Sequence, residues 1–245
     1  MRIALDDGEL PPKSCEDCHL GPLTIYGPTA KTSPELVCAQ RREIQHFAPG
    51  RTLVREGETS ESVHVLYSGW AFCYKQLPDG RRQILSFLLP GDTMVLESLC
   101  FPHLSLPFSI MTLTAITCCT FAGDDLAALM RVSPEQKDEF ARTRRRYAAS
   151  VHERLFDLGR RTARGRLAQL LLELQERLSR RNMVDANGGF AFPARQEHLA
   201  DALGLTTVYV NRTLALLRRE GIVVTENKRV TIHDLAALRR TAIEE

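Results

Sequence analysis

Residues 200–221 read ADALGLTTVYVNRTLALLRREG and put Thr207, Val208, Asn211 and Arg212 just beyond a glycine, at helical spacing. These side chains can read bases. Arginine holds O6 and N7 of guanine through two parallel hydrogen bonds, asparagine does the same to adenine, and valine can touch a thymine methyl. Arg218, Arg219, Lys228 and Arg229 follow, with charges suited to phosphates. A second chemistry is carried by thiols: Cys15, Cys18, Cys38, Cys73, Cys100, Cys118 and Cys119. Their odd number and scattered spacing argue against a disulfide framework and leave metal binding, redox chemistry or packing. CEDC (15–18) sits in a proline- and glycine-rich arm, not at the strand-to-helix junction a thiol oxidoreductase uses. No GxSxG, HExxH or phosphate loop is present, so no enzyme is expected.

The elements that must position these residues follow from periodicity. In 196–219, Leu199, Leu203, Leu205, Val210, Leu214 and Leu217 supply a shared apolar core for two helices. Gly204 permits the sharp turn between them, and Thr206 is the cap of the second. That is a helix-turn-helix, whose second helix enters the major groove. Arg195 and Gln196 open the first helix and join Thr206, Thr207, Val208, Asn211, Arg212, Arg218 and Lys228 as the expected DNA contacts. GIVVTENKRVTIHD (221–234) reads as a hairpin turning at Asn227 and Lys228, which forms a wing. NGGFAFP (187–193) resembles another hairpin, and GRLAQLLLELQERLSRR (165–181) an amphipathic helix. The rival reading, a ligand-binding or scaffolding barrel whose C-terminal helices hold protein, is separated from this one by salt-sensitive DNA binding.

Upstream, SPEQKDEFARTRRRYAASVHERLFDLG (133–159) starts at Ser133 and Pro134 and stops at Gly159. Its stripe of Phe140, Arg144, Tyr147, Val151, Leu155 and Leu158 steps by fours and threes, as a coiled-coil seam does. A symmetric dimer contact is expected there. The run RTRRR (142–146) is read as a solvated face. Between Ala48 and about Asp124, short β-branched and aromatic runs alternate with PG, SG, PDG and PGD turns. This predicts an antiparallel β-barrel or sandwich, with Trp70, Phe72 and Tyr74 in its core. TSPELVCAQRREIQHF (32–47) reads as one short helix, and 1–34 as a loop-rich arm.

The fold class is therefore α+β. The expected divisions are an arm (1–34), a sensory β-barrel (35–132), a dimerisation helix (133–158) and a winged helix-turn-helix (159–245). The 245 residues suit such an arrangement. Residues 159–245 hold 15 basic against 10 acidic side chains, whereas 1–158 hold 17 against 20, which places a polyanion site at the C-terminal end. No apolar run is long enough to span a bilayer, and MRIALDDGELPPK lacks the apolar core of a signal peptide. A cytoplasmic protein without a membrane partner is expected.

Barrel, long helix and winged helix-turn-helix, in this order, resemble the CRP/FNR superfamily of bacterial transcription regulators across roughly 35–240. LPDGRRQILSFLLPGD, GRLAQLLLEL and LADALGLTTVYVNRTLALLRREG carry the likeness. The resemblance implies a homodimer on a roughly palindromic double-stranded promoter site, contacts with RNA polymerase, and Arg212 as the guanine reader. Val208 stands where relatives often have glutamate, so the half-site should differ. Relatives that bind cyclic nucleotides use Gly-Glu and Arg-Ser pairs; Val95, Leu96, Phe108 and Ser109 stand at the matching positions, and Val151 and His152 replace the Thr-Ser pair that meets the base. Cyclic AMP is therefore not expected. The oxygen-sensing branch implies an iron–sulfur cluster on Cys15, Cys18 and Cys119, with Cys38 the nearest substitute for a third arm cysteine, whose place is Thr24. Haem, the remaining option, would draw on His19, His46, His64, His103 or His152, none of them singled out. A change in the barrel would act through the helix seam and swing the DNA heads about 159–163.

Overall fold

The computed structural model describes residues 10–96 and 105–243. Cys100 and His103 lie outside them. Among the described residues two compact units form, one of 10–75, 86–96 and 105–149, the other of 76–85 and 150–243.

The alternating stretches pair as two four-stranded antiparallel sheets, all in the first unit but for the strand residues that fall in 76–85. One has the order β1 (Arg41–Phe47), β8 (Ile116–Ala122), β3 (Ser62–Ser68), β6 (Thr93–Met94). The other runs β2 (Thr52–Val54), β7 (Ser109–Thr112), β4 (Ala71–Gln76), β5 (Arg82–Leu88). No described ladder joins the sheets, so the expected barrel is an open double sheet of jelly-roll type. Trp70, Phe72 and Tyr74 are buried as core, as their alternation indicates.

The helix expected over 32–47 is shorter: α2 spans Pro34–Gln40 and the chain then enters β1. The local pattern there is ambiguous, and a ladder with β8, pairing Ile44 with Cys119 and His46 with Thr117, decides it. The arm is more ordered than its composition suggests. After a 3-10 turn at Gly21–Leu23 comes α1, Gly27–Thr32. Leu20, Ile25 and Tyr26 are buried. Buried Gln136 pins the arm: its Nε2 donates to Ile25 O at 2.5 Å, and its Oε1 accepts from Thr29 Oγ1 at 2.9 Å. A helix absent from the sequence reading, α3 (Gly123–Val132), precedes α4, Pro134–Arg160. The latter runs through Gly159, where a stop was expected.

In the second unit α5 spans Ala163–Ser179, with Thr162 Oγ1 accepting from Gly165 N at 3.1 Å as its N-cap. β9 (Gly189–Ala191) turns back on Val184 through one antiparallel bridge at Phe190, a short hairpin-like return. It pairs with β11 (Arg229–Ile232), which pairs with β10 (Val223–Glu226), and the sheet has three strands. α6 is Gln196–Leu203, α7 is Thr207–Arg219, and α8, Leu235–Ile243, completes the unit.

Candidate nucleic-acid interface and cysteine site

The two helices of the quoted stretch meet as their turn chemistry dictates. Gly204 caps α6 in the left-handed region at φ 63°, which only glycine enters without strain. Thr206 opens α7, and its side chain accepts from Tyr209 N at 3.3 Å. Behind them Leu199, Leu203, Val210 and Leu217 are buried. In front, Thr206, Thr207, Val208, Asn211 and Arg212 are all exposed. Tyr209 is 55% exposed on the first turn of α7 and belongs to the same surface; the sequence reading passes over it because tyrosine at that spacing also suits a core.

The flanking cations divide by partner. Arg218 is paired with Glu226 at 2.9 Å, and Arg229 with Asp185. Arg195, Lys228 and Arg219 are exposed. Arg195 and Gln196 at the start of α6, and Lys228 and Arg229 of the wing, border one groove of about 190 Å3. The wing turns at Asn227 and Lys228, with φ 51° and 57°, the two-residue turn that fits the twist of a hairpin. The N-terminus of α6 carries a reciprocal cap, in which His198 Nδ1 accepts from Arg195 N at 3.0 Å.

On α4 the seam divides into an exposed middle and packed ends. Tyr147, Val151 and Leu155 are 37%, 46% and 70% exposed, and Arg144 is exposed. Phe140 is half-buried against the core around Tyr26 and Phe121, and Leu158 packs beside Gly204. Phe156, 53% exposed, joins the apolar surface although it lies off the expected stripe. Arg142 and Arg146 both pair with Glu139, on an exposed face.

The four cysteines singled out as ligands come together although 104 positions separate the first from the last. Cys15, Cys18 and Cys119 line a cavity of about 40 Å3 with Arg41, Tyr26 and Thr24. The Cys15 thiol is hydrogen-bonded to Cys38. Cys38 Sγ lies 3.2 Å from Lys13 O and 3.7 Å from Arg41 Nη2. Burial, with the neighbouring thiols, pushes Cys15 up to about 12 against the pull of Arg41; burial raises Cys119 as well. Thr24, at the place of the third arm cysteine, donates its hydroxyl to Gly21 O at 2.9 Å. Among the described residues no three His, Cys, Asp or Glu side chains are gathered as a metal-binding group. The thiols are neighbours round a cavity, not a closed ligand set.

The places matching the cyclic-nucleotide contacts are otherwise engaged. Val95 is buried at φ 64°, a conformation unusual for a β-branched residue. Phe108 is buried, and Ser109 Oγ accepts from Glu56 N at 2.9 Å. His46 and His64 each bond a threonine hydroxyl through Nδ1 at 3.0 Å, to Thr117 and Thr120 respectively. Among the described residues no helix is long and apolar enough to cross a membrane.

Comparison with known proteins bears on both units. The Crp-like helix-turn-helix domain matches residues 165–241, and the cyclic nucleotide-binding domain matches 44–133. The nitrogen fixation regulation protein FixK of Bradyrhizobium diazoefficiens is 30% identical over 234 residues, 93% of each chain. The transcriptional activator protein FnrL of Cereibacter sphaeroides is 27% identical over 93% of this chain and 91% of its own. The structure of FixK2 from Bradyrhizobium japonicum superposes with a TM-score of 0.74 at 24% identity, covering 83% of this chain and 98% of that one.

Proposed function

The chain belongs to the CRP/FNR family of transcription regulators, and on that premise we propose that it acts as a homodimer, paired along α4, that sets two copies of α7 into successive major grooves of a palindromic promoter site. Its helix-turn-helix makes it a DNA-binding regulator; the pairing, the contacts and the signal are the proposal. The observation that carries it is the capped, glycine-turned α7 with Thr207, Val208, Asn211 and Arg212 all facing solvent beside the wing. Arg212 reads guanine, Asn211 reads adenine, and Val208 meets a thymine methyl. Thr206 and Thr207, with Gln196, Arg195, Arg218 and Lys228, hold the backbone. RNA polymerase is the further partner, and the chain does no catalysis.

The pairing surface is Arg144, Tyr147, Val151 and Leu155, while Phe140 and Leu158 at the ends of the stripe pack within the chain; 133–158 is the rod between the sensory part (35–132, preceded by the arm 1–34) and the DNA-binding part (159–245). Exposed apolar side chains at coiled-coil spacing on a long helix support it. Selection of bound duplexes from a random library, with sedimentation of the protein alone, tests the whole reading. A palindrome with two half-sites and a dimer are expected. Enrichment of no sequence, or binding indifferent to salt, would overturn it and favour the protein-binding alternative.

The signal we assign to the four cysteines. Cys15 and Cys18 of the arm and Cys119 of β8 line one cavity, with Cys38 of α2 bonded to Cys15 and the Arg41 cation beside them; soft donors of this kind are what an iron–sulfur cluster takes, and its chemistry would make the site sensitive to oxygen or redox state. Loading requires Cys15 and Cys119 to give up protons that burial makes them keep, and requires Cys38 to fill the place of Thr24. Iron and sulfide assays with an absorption spectrum of anaerobically purified protein test this; a colourless protein without iron would overturn it. For haem, no histidine among the described residues lines this cavity. Cyclic AMP would meet buried Phe108 at the position matched to the phosphate-binding arginine, leaving its phosphate desolvated without that counter-charge. Calorimetry with cyclic AMP at micromolar concentration should show no saturable heat.

A further inference from the structure

We infer that Arg166 is a positioning residue for DNA recognition, fixing the angle between the end of the long helix and the recognition helix by bonding the ends of both α4 and α6 at once. It stands on the first turn of α5, half-buried and outside the DNA-facing surface. Its Nη2 donates to Leu158 O at 2.8 Å and its Nε to Arg161 O at 3.1 Å, at the last turn and exit of α4. Its Nη1 donates to Leu203 O at 3.2 Å, on the last residue of α6. The final carbonyls of a helix have no partner within it and form the negative end of its dipole. One guanidinium answers two of them, one on each helix, and the carbonyl of Arg161 just past the end of α4.

The chemistry of the guanidinium makes this more than a cap. Its donors lie in one rigid plane, so three bonds fix three carbonyls relative to one another; a lysine ammonium, a mobile point charge, would not. The bonded joint is also tight. A Cβ at Gly204 would come within 3.2 Å of Leu158 Cδ2 and 3.8 Å of Arg166 Nη1, so the turn leading into α7 rests directly on the end of α4. Arg161 anchors the same end of α4 elsewhere, to Asp157, Glu153 and Ala242 O in α8. Arg166 is thus the side chain through which the direction of α4 becomes the direction of α7. Since a base pair more or less between half-sites turns one head by about 34° relative to the other, the stiffness of this joint sets which spacing the protein accepts.

This inference rests on the proposed pairing along α4, and the experiment separates the two. Full-length wild-type protein, Arg166→Lys and Leu158→Ala, which loosens the same joint from the α4 side, each select duplexes from a random library, and half-site sequence and spacer length are read. The wild type should enrich paired half-sites with one spacer. Arg166→Lys should keep the half-site sequence, accept spacers one base pair shorter and longer, and bind the wild-type palindrome about tenfold more weakly, with single half-site affinity unchanged. Leu158→Ala should broaden the spacer in the same way, which covers the case in which the lysine variant does not fold. A variant that folds and keeps the wild-type spacer as narrowly, or loses palindrome and half-site affinity by the same factor, overturns the role of Arg166. Wild-type enrichment of single, unpaired half-sites overturns the pairing, and this inference with it.

Discussion

At the scale of single residues, His198 shows how a structural bond ties DNA-binding competence to pH. Its Nδ1 accepts from Arg195 N and so closes the N-terminus of α6 beside two of the proposed DNA contacts. Burial holds its pKa below the usual histidine value; Arg82 and Arg195 push the same way, and Glu197 and Asp201 oppose them. The unfolded chain accepts a proton that the folded chain refuses, so this contribution to stability is whole above the unfolded pKa of about 6.5 and is lost as pH falls below it. His64, lowered chiefly by burial with Glu43 opposing, adds a slope of the same sign. Glutamine can accept the same backbone bond without titrating. His198→Gln should therefore match the wild type at pH 7.5 and show the shallower loss of urea midpoint as pH is lowered to about 5.5; an unchanged slope would place the titration elsewhere. Arg212 is a plainer case. Arg212→Ala should lose about 1–3 kcal/mol per contacted guanine and relax selection at that base alone, read in binding isotherms on the selected site and its single-base variants.

At the scale of elements, the turn between α6 and α7 is where local chemistry and tertiary packing agree. Gly204→Ala should cost about 1–2 kcal/mol from its left-handed φ, and more because its methyl meets Leu158. Thr206→Ala should cost about 1 kcal/mol as a lost N-cap. Both are measurable as shifts in denaturant midpoint. Gly204, Thr206 and the Asn227–Lys228 turn were legible in the sequence because each is dictated by neighbours two to four positions away. β1 was not: Arg41–Phe47 continues a helical stretch, and only its ladder to β8, more than 70 positions on, makes it a strand. The helices α3 and α8 are not legible either, being short and packed on partners distant in sequence. The seam of α4 was legible as a stripe, but its period cannot separate Tyr147, Val151 and Leu155, which face solvent, from Phe140 and Leu158, which pack within the chain. Arg166 carried no signal at all, since its partners are backbone carbonyls that any sequence possesses. The cysteines lie between these extremes, for the spacing alone paired Cys15 with Cys18, and it took the family likeness to add Cys119.

At the scale of the whole molecule, the net charge of +2 is too small to draw the protein to DNA from a distance, so affinity must come from cations held in register by pairing. That makes oligomeric state visible in the salt dependence of binding. Each phosphate neutralised adds about 0.9 to the slope of log affinity against log salt, and a dimer doubles the set supplied by one Lys228, one Arg195 and their neighbours. Leu155, 70% exposed at the middle of the seam, can be exchanged for a charge without opening the fold that surrounds it. Leu155→Arg places two like charges face to face in a paired seam and should give a monomer in sedimentation with an unchanged melting profile at high dilution. On the selected palindrome it should bind with about half the wild-type salt slope while keeping the half-site sequence. Lys228→Ala, by contrast, should stay a dimer and lower the slope by about two contacts, one per protomer. Arg218→Ala should lower it less, because that side chain must leave Glu226 before it can reach a phosphate. A Leu155→Arg protein that remained dimeric, or a monomer that kept the full slope, would mean that the two DNA heads are held together by some surface other than α4.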